Sequence, residues 1–302
     1  MKLPKVTKEA TSLVNLNYNH PRTILTKFRF EPEVSESSDL RLRKSLINKR
    51  SVEGKDIYLI DDFFSKDEGQ EMRNFYERAD FEVPVFSSRS SQEKNEKPSF
   101  SMNGKDKWKF FSLPPSPIQE LYRLLALIAH DLHVDVTTHP WSLSSETCNA
   151  PAFVVNYHRE ISEESAKIGK HRDYNTQKGV PFGVRKLYAE KEELHQQRFI
   201  NGEQGKPWLI TAMLYSTSEG FLPGYGMGSG YYKGNGEKAE VSECLDMRLI
   251  FFEGDVIHGV EKGNIPKGEN PWRISYVFKL MLNPKEENQN IKKEFSSFML
   301  GY

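Results

Sequence analysis

Hydrophobic positions along this chain follow two different rhythms. In KDIYLIDDFFSKDEGQEMRNFYERA (55–79) an apolar run over 57–60 reads as a short strand, and Ser65 then offers an N-cap oxygen to a following helix. Glu68, three residues on, completes a capping-box pattern. In SPIQELYRLLALIAHDLHV (116–134), Ile118, Leu121, Leu124, Leu125, Ile128 and Leu132 recur at spacings of three and four. That stripe predicts an amphipathic helix packed on a core, with His130 and His133 at its edge.

The rhythm changes in the second half. AFVVNYH, WLITAMLYS, MRLIFFEGD, VIHGV and WRISYVFKLML are short runs rich in Val, Ile, Phe and Tyr, separated by Gly, Pro and Asn. They predict an antiparallel sheet system, sandwich or barrel. Residues 1–54 lack a sustained period and read as an N-terminal extension of uncertain order, with the folded domain beginning near Lys55. The polar, turn-rich stretch 80–107 reads as a long loop or flap. The charged stretch 184–199 (VRKLYAEKEELHQQRF) reads as an insert of helical character, and 283–302 as a tail holding a polar turn and a short helix.

Composition narrows the class. The chain has 302 residues, 37% of them hydrophobic, with 19 Phe and 13 Tyr, an aromatic content that disordered chains lack. The 42 basic residues balance the 42 acidic ones, so there is no overall charge to recruit nucleic acid or an anionic membrane. The two cysteines, Cys148 and Cys244, are too few for a disulfide framework and not spaced as metal ligands. No run is long enough to span a bilayer, and cytoplasm is the expected compartment.

Chemistry concentrates in three places. In IGKHRDYNTQ, His171 and Asp173 are two residues apart, so on an extended segment both face one way while Arg172 faces the other. In GDVIHGV, His258 follows a Gly-Asp turn among apolar neighbours; alone, such a histidine is more often a core residue bonded to the backbone. Two imidazoles and one carboxylate, however, form the set that holds Fe(II) and leaves coordination positions open. In PWRISYVFKLML, Arg273, Ser275 and Val277 share one face of a strand, opposite Ile274, Tyr276, Phe278 and Leu280. Burying an arginine there is costly unless an anion meets it, and a guanidinium binds a carboxylate through two parallel hydrogen bonds. Pairing of Arg273 with an acidic side chain at the strand end is equally open on this residue alone.

The ordered set His171-Arg172-Asp173, His258, Arg273-Ile274-Ser275 resembles the signature of the Fe(II)- and 2-oxoglutarate-dependent dioxygenases. FFEGDVIHGV is similar to that family's strand, turn and His-Gly-Val run. YLIDDFFSKDEGQEMRNF resembles the opening strand and helix of its prolyl-hydroxylase-like branch. The resemblance spans roughly 55–282 and implies a mainly β fold with flanking helices around a double-stranded β-helix, the jelly roll of cupin-like proteins. It implies His171, Asp173 and His258 as Fe(II) ligands and catalytic centre, and Arg273 and Ser275 on the far carboxylate of 2-oxoglutarate. Tyr157 resembles a tyrosine that often bonds the same co-substrate. O2 is the second co-substrate and ascorbate a reductant of this chemistry. The long gap from Asp173 to His258 and the late position of Arg273 depart from the compact pattern and blur the substrate class.

By the same resemblance the reaction is hydroxylation of an unactivated C–H bond, coupled to decarboxylation of 2-oxoglutarate to succinate and CO2. The carboxylate ligand Asp173 argues against halogenation. A protein or peptide side chain is the first expectation for the substrate, and an amino acid or small metabolite the second. The glycine-rich segment 217–238, with Tyr225, Tyr231 and Tyr232, could furnish contact surface near the iron, or be a plain hairpin connection. A non-catalytic jelly-roll binding protein, or a cupin-type metal enzyme that does not use 2-oxoglutarate, is the alternative, and it leaves Arg273 and Ser275 without an evident purpose.

Overall fold

The structure, a computed structural model, describes residues 6–12, 24–30, 36–78, 81–82, 101–102, 114–138, 153–158, 169–175, 180–181, 200–269, 271–285 and 290–301. The 184–199 insert lies outside the described residues, as does the 80–107 loop apart from one short pairing, Phe81–Glu82 with Ser101–Met102. In chain order the strands are β1 (Val6–Ser12), β2 (Ile24–Phe30), β3 (Leu46–Val52), β4 (Lys55–Asp61), β5 (Phe81–Glu82), β6 (Ser101–Met102), β7 (Val134–Thr138) and β8 (Phe153–His158). They continue with β9 (Tyr174–Asn175), β10 (Val180–Pro181), β11 (Trp208–Thr217), β12 (Ser229–Tyr232), β13 (Lys238–Ser242), β14 (Leu249–Glu253), β15 (Ile257–Val260) and β16 (Arg273–Pro284).

Two antiparallel sheets face each other as a jelly roll. The large one runs β1-β2-β7-β16-β11-β14-β4-β3, with β8 also paired to β16, and the small one runs β13-β12-β15. Alternation along the strands builds two cores, because successive side chains point to opposite faces. Trp208, Ile210, Ala212 and Leu214 of β11, Leu249 and Phe251 of β14, and Ile274, Tyr276, Phe278 and Leu280 of β16 form the core under the helices. The opposite parity, including Met213, Tyr215, Ile250, Phe252 and Val277, packs between the sheets with Tyr231 of β12. Both faces of β11 and β16 are buried, which is why they read as nearly continuous apolar runs.

The expected helices form for the expected reasons. The helix Lys66–Arg78 opens on a closed capping box: the Glu68 backbone N–H donates to Ser65 Oγ at 3.2 Å and the Ser65 N–H to Glu68 Oε2 at 2.8 Å. In Ser116–Asp131 the residues Ile118, Leu121, Leu124, Leu125 and Ile128 are fully buried against the large sheet, while His130 and His133 are exposed.

Both ends of the chain belong to the fold more than the sequence suggests. The sheet does not start at Lys55: β3 pairs with β4 along seven residues, and Leu42 and Val52 are buried upstream of it. The terminal segment is not a peripheral tail either. Its helix, Ile291–Leu300, inserts Phe295 among Tyr58, Trp208 and Phe251 at ring-centroid distances of 5.2, 5.0 and 5.7 Å. These additions come from cross-strand and ring contacts between segments distant in sequence, which local periodicity does not report.

Candidate active site

His171 and His258 meet across a two-way backbone bridge. Each N–H donates to the other's carbonyl at 2.9 Å, which extends the small sheet by one rung beside β15 and sets the two imidazoles 4.5 Å apart, tilted by 53°. Asp173, two residues beyond His171, turns its carboxylate to the same place. One ligand atom from each of His171, Asp173 and His258 lies within 4.8 Å of the others.

The hydrogen bonds around the rings fix how they face the site. Nδ1 of His171 lies 2.7 Å from Gly169 O, and Nδ1 of His258 lies 3.1 Å from Val256 O. A carbonyl oxygen can only accept, so each Nδ1 carries the proton and each Nε2 presents a lone pair. Those lone pairs point toward Asp173 Oδ1, at 3.4 Å from His171 and 3.7 Å from His258. Two ring lone pairs and a carboxylate oxygen converging in this way make the donor set of a divalent ion. Burial pushes the His171 pKa down to about 4, helped by the Lys279 ammonium, and burial pushes His258 down to about 3, helped by His171. Both rings are therefore neutral at physiological pH, the form that binds metal. The donor set fits a divalent ion.

Two residues that sequence reasoning missed hold the carboxylate. Thr211 Oγ1 donates to Asp173 Oδ2 at 2.6 Å, and Lys279 Nζ donates to Asp173 Oδ1. Thr211 of β11 and Lys279 of β16 are direct partners in the ladder, so one rung of the large sheet grips Asp173 from below. Burial drives the Lys279 pKa well below its ordinary value. A signal for Lys279 existed: it shares the parity of Arg273, Ser275 and Val277, and a lysine at an inward position of an apolar strand needs a partner. Thr211 likewise has the inward parity of Met213 and Tyr215.

Arg273 opens β16 on that same inward face and is 1% exposed. Its Nε donates to Met227 O at 2.8 Å and its guanidinium lies 5.2 Å from the centre of the Tyr215 ring. Its Nη1 is buried with no hydrogen-bond partner among the described residues. An orphaned charged donor of this kind costs about 1–3 kcal/mol or more unless a ligand supplies an acceptor. Ser275, 2% exposed, is the ladder partner of Tyr215, whose hydroxyl is 2.7 Å from Ser229 Oγ. Burial raises the Tyr215 phenol to about 12, so it stays a neutral hydrogen-bonding group. No acidic side chain pairs with Arg273 among the described residues.

Register bears on the neighbouring strand positions. The ladder aligns Ser275 with Asn156 and Arg273 with His158, whereas Tyr157 stands opposite Ile274, a residue of the helix-side core. The side chain of Tyr157 lies outside the described residues. The tyrosines of 217–238 also separate. Tyr231 lies between the sheets against Phe252, but Tyr225 bonds Glu269, and Tyr232 bonds Glu261 beneath the Lys170 ammonium. The segment's link to the site is instead the carbonyl of Met227, which follows the positive-φ turn at Gly226. Arg172 lines a separate cavity of about 330 Å3 with Ile257 and Tyr232.

No protein-family model matches this chain, and no curated protein matches it. Solved structures do align with it. A Pseudomonas putida prolyl-4-hydroxylase aligns over 80% of this chain and 96% of its own at 12% identity and a TM-score of 0.34. A Trichoplax adhaerens prolyl hydroxylase in complex with a hypoxia inducible factor oxygen degradation domain peptide fragment covers 80% and 86% at 13% identity and a TM-score of 0.38. HygX from Streptomyces hygroscopicus, with nickel and 2-oxoglutarate bound, covers 76% and 83% at 11% identity and a TM-score of 0.36. No helix among the described residues is long and apolar enough to cross a membrane.

Proposed function

We propose that this chain is an Fe(II)- and 2-oxoglutarate-dependent oxygenase that hydroxylates an unactivated C–H bond. The observation that carries the reading is the combination, on one interior surface, of a neutral-imidazole His171–Asp173–His258 cluster with a buried Arg273 whose Nη1 lacks an acceptor. A metal site alone would fit many activities; a buried, unmatched guanidinium beyond it asks for an anion long enough to serve both.

His171 and His258 would hold the ion through Nε2 and Asp173 through Oδ1, leaving the remaining coordination positions to co-substrates. Thr211 holds Oδ2, so Oδ1, which faces both Nε2 atoms and accepts from Lys279, is the oxygen that would turn to the ion. Arg273 would bind the C5 carboxylate of 2-oxoglutarate through Nη1 with Ser275 beside it, its Nε remaining on Met227 O. When bound, the ferrous ion supplies electrons for O2 activation, and the overall balance is R–H, 2-oxoglutarate and O2 to R–OH, succinate and CO2. Packing of Phe252 against His258 at 4.6 Å, with Tyr231 behind it, keeps water from the inner wall of the site. The substrate is a protein or peptide side chain in the first instance, and ascorbate serves as a reductant.

The test is direct. Anaerobic addition of Fe(II) and 2-oxoglutarate should give the visible metal-to-ligand charge-transfer band of a bidentate keto acid. Admitting O2 should release succinate, and His171→Ala should abolish both. A protein that binds Fe(II) but develops no band with 2-oxoglutarate would be a metal protein of another kind; one that binds neither would be a jelly-roll binding module.

A further inference from the structure

The small sheet has a second face besides the one that packs against the large sheet. In the β12–β15 ladder Tyr231 pairs with His258 and Tyr232 with Ile257, so the two pairs serve opposite faces. Tyr231 lies in the core between the sheets, whereas Tyr232 and Ile257 line the cavity of about 330 Å3 that Arg172 also borders.

Two charges of that lining lack a counter-ion. Arg172 makes no hydrogen bond or ion pair among the described residues, and the Glu53 carboxylate accepts one backbone N–H, that of Gly234, at 2.9 Å. The two side chains do not pair with each other. Lys55 and Asp255, the other charged groups of the lining, are matched at 2.7 Å. The cavity therefore presents one unmatched cation and one unmatched anion, held apart, beside the apolar surface of Val52, Ile257 and the 67% exposed Ile200.

Glu53 stands there at a conformational cost. With Gly54 it makes the two-residue turn between β3 and β4, at φ of 48° and 76°. A turn with positive φ at both positions favours Asn, Asp or Gly at the first, and a glutamate there has no such ease. The turn nevertheless brings its carboxylate to the cavity, where Gly234, in the connection between β12 and β13, fixes it. Strain that presents a charged group at a concave surface points to a ligand.

We infer that this cavity is a binding site for an aliphatic α-amino acid, with the carboxylate on Arg172, the ammonium on Glu53 and the side chain against Val52 and Ile257. An α-amino acid carries both charges on one carbon and an apolar group beside them, which complements each part of the lining. A guanidinium takes a carboxylate through two parallel hydrogen bonds, and an ammonium donates to the free oxygen of a carboxylate. The volume falls at the small end of the roughly 300–1,000 Å3 range of ligand sites and suits one residue rather than a peptide. Inside a polypeptide both α groups are amides, so an internal segment of a protein lacks the charges this lining asks for. The site is separate from His171, Asp173 and His258, and the inference stands without the oxygenase reading.

The test uses the full chain with no metal added, titrated with L-leucine while saturation-transfer NMR and the thermal unfolding midpoint are followed. The expected result is a saturable response to L-leucine. Isovalerate, which lacks the ammonium, and isoamylamine, which lacks the carboxylate, should each need at least tenfold more ligand, and N-acetyl-leucine amide should give none. Arg172→Met should raise the L-leucine midpoint at least tenfold, and Arg172→Gln replaces it if the methionine variant does not fold. Glu53→Gln should do the same, although its amide oxygen still accepts from Gly234 and its unfolding midpoint without ligand should match the parent. Three results would overturn the inference: no saturable response to L-leucine in the parent, binding of isovalerate or isoamylamine as tight as that of L-leucine, or an undiminished response in the variants, which would put the amino acid elsewhere on the chain.

Discussion

Replacing Arg273 by methionine separates ligand binding from folding. The guanidinium is 1% exposed and makes one protein hydrogen bond, Nε to Met227 O, while Nη1 has none among the described residues. In the ligand-free protein, removing it deletes that bond, worth about 1.5–3 kcal/mol for a charged donor, but also relieves the desolvation of an unmatched cation of similar size. Methionine preserves much of the volume, so the ligand-free variant should unfold in urea within about 1 kcal/mol of the parent. Binding of 2-oxoglutarate has no such compensation. Truncating one partner of a buried, hydrogen-bonded charge pair costs about 2–5 kcal/mol, and at about 1.4 kcal/mol per decade the affinity should fall roughly 30- to 4,000-fold. Anaerobic titration of the Fe(II)-loaded protein, by calorimetry or by the charge-transfer band, reads this directly. A loss smaller than threefold, with iron still bound, would refute the co-substrate role of Arg273. A variant destabilised by several kcal/mol without ligand would show that Arg273 is a structural ion whose partner lies elsewhere.

Other consequences are as specific. Thr211→Val removes the hydroxyl that holds Asp173 Oδ2 while keeping shape, and should weaken metal affinity about 10- to 100-fold, measured by competition with a chromogenic chelator; unchanged affinity would make Thr211 a packing residue. The metal-free protein should lose stability as pH falls below about 6.5. The unfolded histidines bind protons there while native His171 and His258, at about 4 and 3, do not, so stability declines across the window down to about 3. By pH 5 the loss should be about 2 kcal/mol, mostly from His258, since His171 is 39% exposed and screened by solvent; a urea midpoint flat from pH 7 to 5 would contradict it. Phe295→Ala should cost about 3–5 kcal/mol, because the ring is fully buried among three aromatic partners. A change under 1 kcal/mol would mean that the C-terminal helix is not part of the core.

Much of the site is legible along the chain because its geometry is local. His171 and Asp173 share a side because extended backbone repeats every two residues, and Arg273 and Ser275 do so for the same reason. The helix Ser116–Asp131 and the capping box at Ser65 follow from a 3.6-residue period and from unpaired N–H groups at a helix start. Those rules act within a few residues, so they survive without knowledge of the partners. His171, Asp173 and His258 come to one point, although their separation in sequence says nothing about how far apart they lie.

What only the tertiary structure decided is which distant positions share a rung. Lys279 reaches Asp173 across 106 residues of sequence because β16 and β11 pair in a register that sets Lys279 beside Thr211. The same register aligns Asn156 rather than Tyr157 with Ser275, and a one-residue shift would reverse that outcome without altering any local pattern. Met227 enters through a backbone carbonyl, which every residue possesses and no side chain announces. The chain by itself thus determined strand parity, the helices and the chemical identity of the candidate ligands. Long-range pairing determined the electrostatics around them, including the buried Lys279 beside Asp173, because charge interactions depend on distances in space that only the closed pair of sheets sets.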